Sequence, residues 1–308
     1  MEKLAYFFID DTIWCLRDIT RANVGSIYEN AFFAMLKKAH DEYGMTVQLN
    51  LFYRTDFFYG SDEFTLAEVP EKYKPEFEAA SNWLKFAFHA KQEFPDYPYV
   101  NANYDDVKGD CEAVEREIRR FAGEGSLSHA VIPHWLPISK AGCKALADCG
   151  IKFMSPSYGD TKEFDGDDSV LPYGHAARIK QNRLVETRLY TRPTKNIAIA
   201  SSICAYNHIT GEQHDSIKWQ NKSIKDEYTG VRFRQIGGGP CLNTHKYHEI
   251  AERLAELNGS EYIGTGVHEQ YFYPDYYAYQ PDYADKLFLL GRTLKEYGYR
   301  FITADEMK

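Results

Sequence analysis

Short apolar runs alternate with amphipathic stretches from one end of the chain to the other. Residues 4–9 are aromatic and β-branched, and predict a strand buried on both faces. Residues 26–43 predict a helix, with Ala31, Phe32, Met35, Leu36 and Ala39 on one face and Gly44 as its stop. Residues 46–52 and 85–89 predict the next two strands. In 104–121, Val107, Cys111, Val114, Ile118 and Phe121 recur at helical spacing, and Gly123 closes the helix. A strand at 129–133 follows. Ser139 then caps a helix to Cys149, which Gly150 stops, with a strand at 151–154. Strands are also predicted at 184–190 and 196–203. Residues 156–181 read as a long loop, and 205–230 as a polar excursion. Near the end come a helix from Asn243 or Thr244 to Leu257, a strand at 261–267, a helix at 280–297 and a strand at 299–302.

This alternation gives an α/β class. The polar residues then choose between architectures. The first strand runs into Asp10-Asp11, the third ends in His89, the fourth in Pro133-His134, and the strand near 265 in His268-Glu269. Barrels carry their chemistry at the C-terminal ends of several strands, whereas open sheets collect it at one switch point. The expectation is a (β/α) barrel, one domain over 1–308, with an excursion at about 156–240. There is no GxGxxG after the first strand and no GxxxxGK[ST]; Gly237–Gly239 lacks a following Lys and reads as a turn.

Composition narrows the partners. The 308 residues carry 36 Lys+Arg against 45 Asp+Glu, a net charge of −9. This acidic balance argues against nucleic acid and anionic membranes. No apolar stretch is long enough to span a bilayer, and 4–9 is too short for a signal-peptide core, so a cytoplasmic location is expected. Six cysteines without a CxxC pair read as free thiols. The 24 Tyr and 19 Phe are densest in YFYPDYYAYQPDY at 271–283. That run reads equally as a sugar-stacking wall or as a loop packed on itself.

Imidazoles and carboxylates converging on one rim suit a divalent metal with an open position for water, plus a base and an acid. Two adjacent aspartates on a strand end should point in different directions, which allows one to bind metal while the other takes a proton. His245, His248 and Glu249 have metal-like spacing on one helix but read as a solvated face.

The motifs FFIDDTIW, WLKFAFHA, IPHWLPISKAGCKALADCGIKFM and GVHEQYF, in that order, resemble those of the polysaccharide deacetylase family, carbohydrate esterase family four. The resemblance covers roughly residues 4–154 and 261–303. It implies a distorted (β/α) barrel of about seven strands with one divalent ion, zinc in the first place and Co, Ni or Mn otherwise. Carried over by position, Asp10 is the base, Asp11 and His89 are metal ligands, and His268 is the acid. The family's second metal-binding His lies four residues after the first, where this chain has Glu93; His134 is the preferred third ligand and Glu93 the alternative. The family's groove Arg is replaced by Val131. Trp135, Tyr271 and Tyr273 are the candidate substrate-binding residues. The function implied is removal of an acyl group, N-acetyl in the first place, from a carbohydrate. The alternative is a carbohydrate-binding protein without turnover. A dehalogenase-like phosphatase would need Asp-x-Asp, and Thr12 stands where its second acid belongs.

Overall fold

The computed structural model describes residues 2–55, 63–94, 98–99, 102–136, 138–155, 213, 216–217 and 222–307. The strands predicted at 184–190 and 196–203 lie outside the described residues. Nine strands and seven α-helices are described: β1 (Lys3–Thr12), α1 (Trp14–Ala22), α2 (Ala31–Tyr43), β2 (Val47–Phe52), α3 (Lys74–Ala80), β3 (Leu84–Ala90), α4 (Tyr104–Ala122), β4 (Ala130–Val131), α5 (Lys140–Asp148), β5 (Phe153–Met154), β6 (Ile224–Lys225), β7 (Arg232–Phe233), α6 (Tyr247–Leu257), β8 (Tyr262–His268), α7 (Tyr283–Glu296) and β9 (Tyr299–Phe301).

The class is α/β, and the sheets are mainly parallel. One sheet runs β3-β2-β1-β8, with β9 also on β1. Strand β8 takes residues 4–10 of β1 along one edge. The other edge is shared: β9 pairs with Lys3–Ala5 and β2 with Phe8 onward. Ala5, Phe7 and Ile9 are therefore sealed from solvent, which is why this strand reads as a continuous apolar run. A second sheet runs β4-β5-β7-β6, with only β6–β7 antiparallel. The segment leading into β4 lies beside β3, where Ser128 N–H donates to the Phe86 carbonyl at 2.8 Å. The segment after β7 lies beside β8, where Gly238 and Gly239 N–H donate to the Gly264 carbonyl at 2.9 and 2.7 Å. The second sheet is thus linked to both edges of the first.

Local chemistry sets the helix ends. The Asn30 side chain accepts from Phe32 and Phe33 N–H, so α2 starts there and not at Ser26, which caps a separate short turn. Gly44, at φ 70°, closes α2. Ser139 accepts from Gly142 N–H and starts α5. Helix α1 has no cap from its own N-terminal neighbour. The N–H groups at Ile13, Trp14 and Cys15 instead donate to the Glu269 carboxylate at 2.7, 2.8 and 2.7 Å. A carboxylate at a helix N-terminus also meets the positive end of the helix dipole. Glu269 thereby fastens the end of β8 to the end of β1. No helix of the described residues is long and apolar enough to cross a membrane.

Candidate metal centre

The strand ends meet at a cavity of about 370 Å³, lined by Asp10, Asp11, His89, His134, His268 and Trp135 among others. Its remaining wall is largely apolar, with Phe8, Ile132 and Leu136, and Gly237–Gly239 on the side of β8.

Both aspartates line this cavity, contrary to the strict alternation expected of a strand. The cause is Asp11, whose φ of 58° is left-handed. The β1–β2 register shifts between Ile9 and Thr12 at the same place. One left-handed residue breaks the period-two pattern and turns consecutive carboxylates toward the same space. Trp135 and Leu136, at φ 65° and 73°, are left-handed too. A bulky residue held there costs on the order of 1–3 kcal/mol, which marks the loop as constrained by its surroundings.

Asp11, His89 and His134 form one buried cluster, with a ligand atom from each within 4.8 Å of the others. Asp11 Oδ1 lies 3.1 Å from His89 Nε2 and 3.2 Å from His134 Nδ1, and the two nitrogens are 3.1 Å apart. The far nitrogen of each ring fixes the near one. His89 Nδ1 donates to the Ile132 carbonyl at 2.7 Å, and His134 Nε2 donates to the Glu93 carbonyl at 2.9 Å. Carbonyls only accept, so both far nitrogens carry hydrogen and the near nitrogens can present lone pairs to one point. Asp11 Oδ2 is buried with no hydrogen-bond partner among the described residues. Two lone-pair nitrogens and the Asp11 carboxylate, one oxygen of which has no partner among the described residues, fit a divalent cation of the zinc type. Glu93, the alternative ligand, is outside this cluster: its backbone carbonyl orients His134, and its carboxylate accepts from Gln270 Nε2 at 3.1 Å.

Without an ion, the cluster holds protons. Burial alone would neutralise Asp11, but the charge and hydrogen bond of His134, with His89, keep its carboxyl well below the ordinary range. Burial opposes charge on His134 as well, yet Asp11 raises its pKa to about 9.

Asp10 sits 3.9 Å from His89 Nδ1, and its pKa is raised, mainly by burial. A polar network reaches it from β2. Tyr6 and Ser128 hydroxyls donate to Gln48 Oε1, Gln48 Nε2 donates to Asn50 Oδ1 at 2.6 Å, and Asn50 Nδ2 donates to Asp10 Oδ1 at 2.6 Å. Sequence reasoning missed this network. Its signal was available: Gln48 and Asn50 share one face of the otherwise apolar VQLNLF.

His268 lines the cavity from the end of β8. Burial opposes its charge, but contact with Cys241 and the fields of Asp11 and Asp10 raise its pKa to about 10. Its Nδ1 and its backbone N–H face Asn243 Oδ1 at 3.1 and 3.2 Å.

The aromatic run behaves differently. Tyr271 and Tyr273 are buried and belong to the main apolar core. Tyr273 packs against Trp14 with ring centroids 5.1 Å apart, and its hydroxyl donates to Glu269 at 3.3 Å. Neither tyrosine is among the cavity's lining residues. Of the three substrate-binding candidates, the cavity wall contains Trp135. Packing holds the tyrosines inward: the Tyr273 ring lies against Trp14 of α1 and, at 6.4 Å, Phe32 of α2, and the Tyr271 ring packs on Tyr276 at 5.2 Å. His245 and His248 are apart from the site, on the stretch leading into α6 and on α6 itself.

No protein-family model matches the chain, and no curated protein matches it. Solved structures do align with nearly all of it. A family 4 acetyl xylan esterase from Clostridium thermocellum, in complex with a cobalt ion, is 11% identical over 99% of this chain and 89% of its own, with a TM-score of 0.43. The Xyl-CE4 domain of a multidomain xylanase from the hindgut metagenome of Trinervitermes trinervoides is 10% identical over 99% and 89%, with a TM-score of 0.42. The 4-alpha-glucanotransferase from Thermococcus litoralis reaches a TM-score of 0.54 at 11% identity; it aligns with 99% of this chain, which spans 40% of that enzyme's length. What the chain shares with the glucanotransferase is an α/β fold.

Proposed function

We propose that this protein is a metal-dependent hydrolase that removes an acyl group, N-acetyl in the first instance, from a carbohydrate. The observation that carries the reading is the pair of tautomer-fixed imidazoles facing one carboxylate, all three buried, at the wall of a cavity. Asp11, His89 and His134 would hold the ion. A divalent ion there supplies Lewis acidity, which makes water a better nucleophile and stabilises negative charge on a carbonyl oxygen. Asp10, held by Asn50, accepts the proton that water gives up as it attacks. Its raised pKa brings it closer to the pH at which a base both exists and transfers protons well. His268 carries the proton that the departing amine needs. Trp135 and the apolar wall exclude bulk water and offer a face for the substrate. The same reading closes the two linked sheets into a distorted barrel and treats residues 1–308 as one domain. A non-catalytic sugar-binding role would rest on stacking, and two of its three aromatic candidates lie in the core.

The test is acetate release from N-acetylated sugar oligomers, with and without prior chelation. Release that stops on chelation and returns with zinc or cobalt is expected. Release that is indifferent to chelation would remove the metal from the mechanism.

A further inference from the structure

We infer that Asn243 is the positioning residue for His268, itself locked in place by Gln280 from the aromatic run; this rests on the reading of His268 as the proton donor. The amide orientation follows from the backbone. His268 N–H can only donate, and it lies 3.2 Å from the Asn243 atom that also faces Nδ1 at 3.1 Å. That atom must therefore be the amide oxygen. An amide oxygen only accepts, so Nδ1 keeps its hydrogen whether the ring is charged or neutral. The proton that the ring can surrender is then the one on Nε2, the nitrogen Asn243 does not hold. The Cys241 thiol donates to the same oxygen at 3.1 Å, which gives Oδ1 three donors and one orientation.

Asn243 is itself restrained. Gln280 Nε2 donates to the Asn243 backbone carbonyl at 2.8 Å. Gln280 Oε1 accepts from Lys286 Nζ at 2.8 Å. Lys286 is almost fully buried on α7, and Asp282 lies 3.2 Å from its ammonium. Gln280 in turn donates its N–H to the Tyr271 carbonyl at 2.9 Å. The tyrosine-rich segment thus acts on the site without lining it: it builds the frame that fixes Asn243, and Asn243 aims the imidazole. A catalytic group held in one orientation reacts faster than a rotating one, and the effect falls on turnover more than on binding.

Two readouts test this. On the full-length protein at neutral pH, the ring N–H protons are followed by NMR, with His268 identified by the signal lost in His268→Gln. A slowly exchanging Nδ1–H is expected in the wild type and in Asn243→Asp, and its loss in Asn243→Ala. In acetate-release kinetics, Asn243→Ala should lower kcat by roughly ten- to hundredfold with KM changed less than about twofold. Asn243→Asp should recover most of that loss, and Gln280→Leu should lower kcat about threefold. An equally protected His268 ring proton in Asn243→Ala, or an unchanged kcat in that variant, would overturn the inference. A wild type that releases no acetate contradicts the hydrolase reading instead, and the ring proton still decides the role of Asn243.

Discussion

The strand-end rim and the aromatic run at 271–283 both read as functional in the sequence, yet the cavity is lined from the rim and not from the run. The rim's polar residues converge on the cavity, where Asp11, His89 and His134 sit within hydrogen-bonding distance of one another. The aromatic run turns its Tyr271 and Tyr273 rings into the core and leaves Tyr277 and Tyr279 exposed. The difference lies in what burial costs each type. A buried carboxylate or imidazole needs partners and so reports a designed site. A buried tyrosine ring gains from apolar contact and needs only one partner for its hydroxyl. Aromatic density is therefore weak evidence for a ligand, whereas converging ionisable groups are strong evidence.

Substitutions in the two regions should separate cleanly. Asp10→Asn should lower kcat by about 10²–10⁴-fold, the range for losing a general base, while the protein remains folded and its metal is retained. Loss of metal along with activity would place Asp10 among the ligands. Tyr273→Ala should do the reverse: a loss of about 3 kcal/mol in unfolding free energy from denaturant titration, with activity per folded molecule nearly unchanged. A large rise in KM at unchanged stability would return Tyr273 to the substrate. Glu269→Ala should cost about 2 kcal/mol, because three N–H groups of α1 lose their acceptor.

The smallest effect is on pH. As the proposed base, Asp10 must be ionised to accept a proton, so activity should fall on the acid side through its raised pKa. The Asn50 hydrogen bond favours the ionised form. Its removal in Asn50→Leu should move the acid limb of the kcat profile further up in pH, because the neutral form then persists higher. A limb that moves down or stays would detach Asn50 from Asp10. In the metal-free protein His268 keeps its proton to about 10, held by its contact with Cys241 and the charges of Asp11 and Asp10, and NMR titration of the ring should show it.

Much of this was legible in the sequence where signals are local. Helix α4 follows its apolar spacing, with Asn103 as its cap. Strands β1, β2, β3 and β8 fall on the short apolar runs. The strand ends named the residues that the structure brings into one cluster, His134 within it and Glu93 outside it. The illegible parts depend on distant contacts. Helix α1 follows a strand directly and takes its cap from Glu269 at the other end of the chain, so no local start signal exists. Asp11's left-handed backbone, which brings both aspartates into the cavity, has no glycine to announce it. Strands β4 and β5 are two residues each, shorter than their apolar runs, because only those residues pair in the second sheet. Asn243 looked like a helix cap, yet α6 begins at Tyr247 and the Asn243 side chain serves His268 instead.

The central claim is that Asp11, His89 and His134 hold one divalent ion. Calorimetric titration of zinc into chelator-treated protein tests it most directly. One tight equivalent in the wild type, abolished in His89→Ala and in His134→Ala but retained in Glu93→Gln, is the predicted result. No binding in the wild type, or binding that survives loss of either histidine, would contradict it.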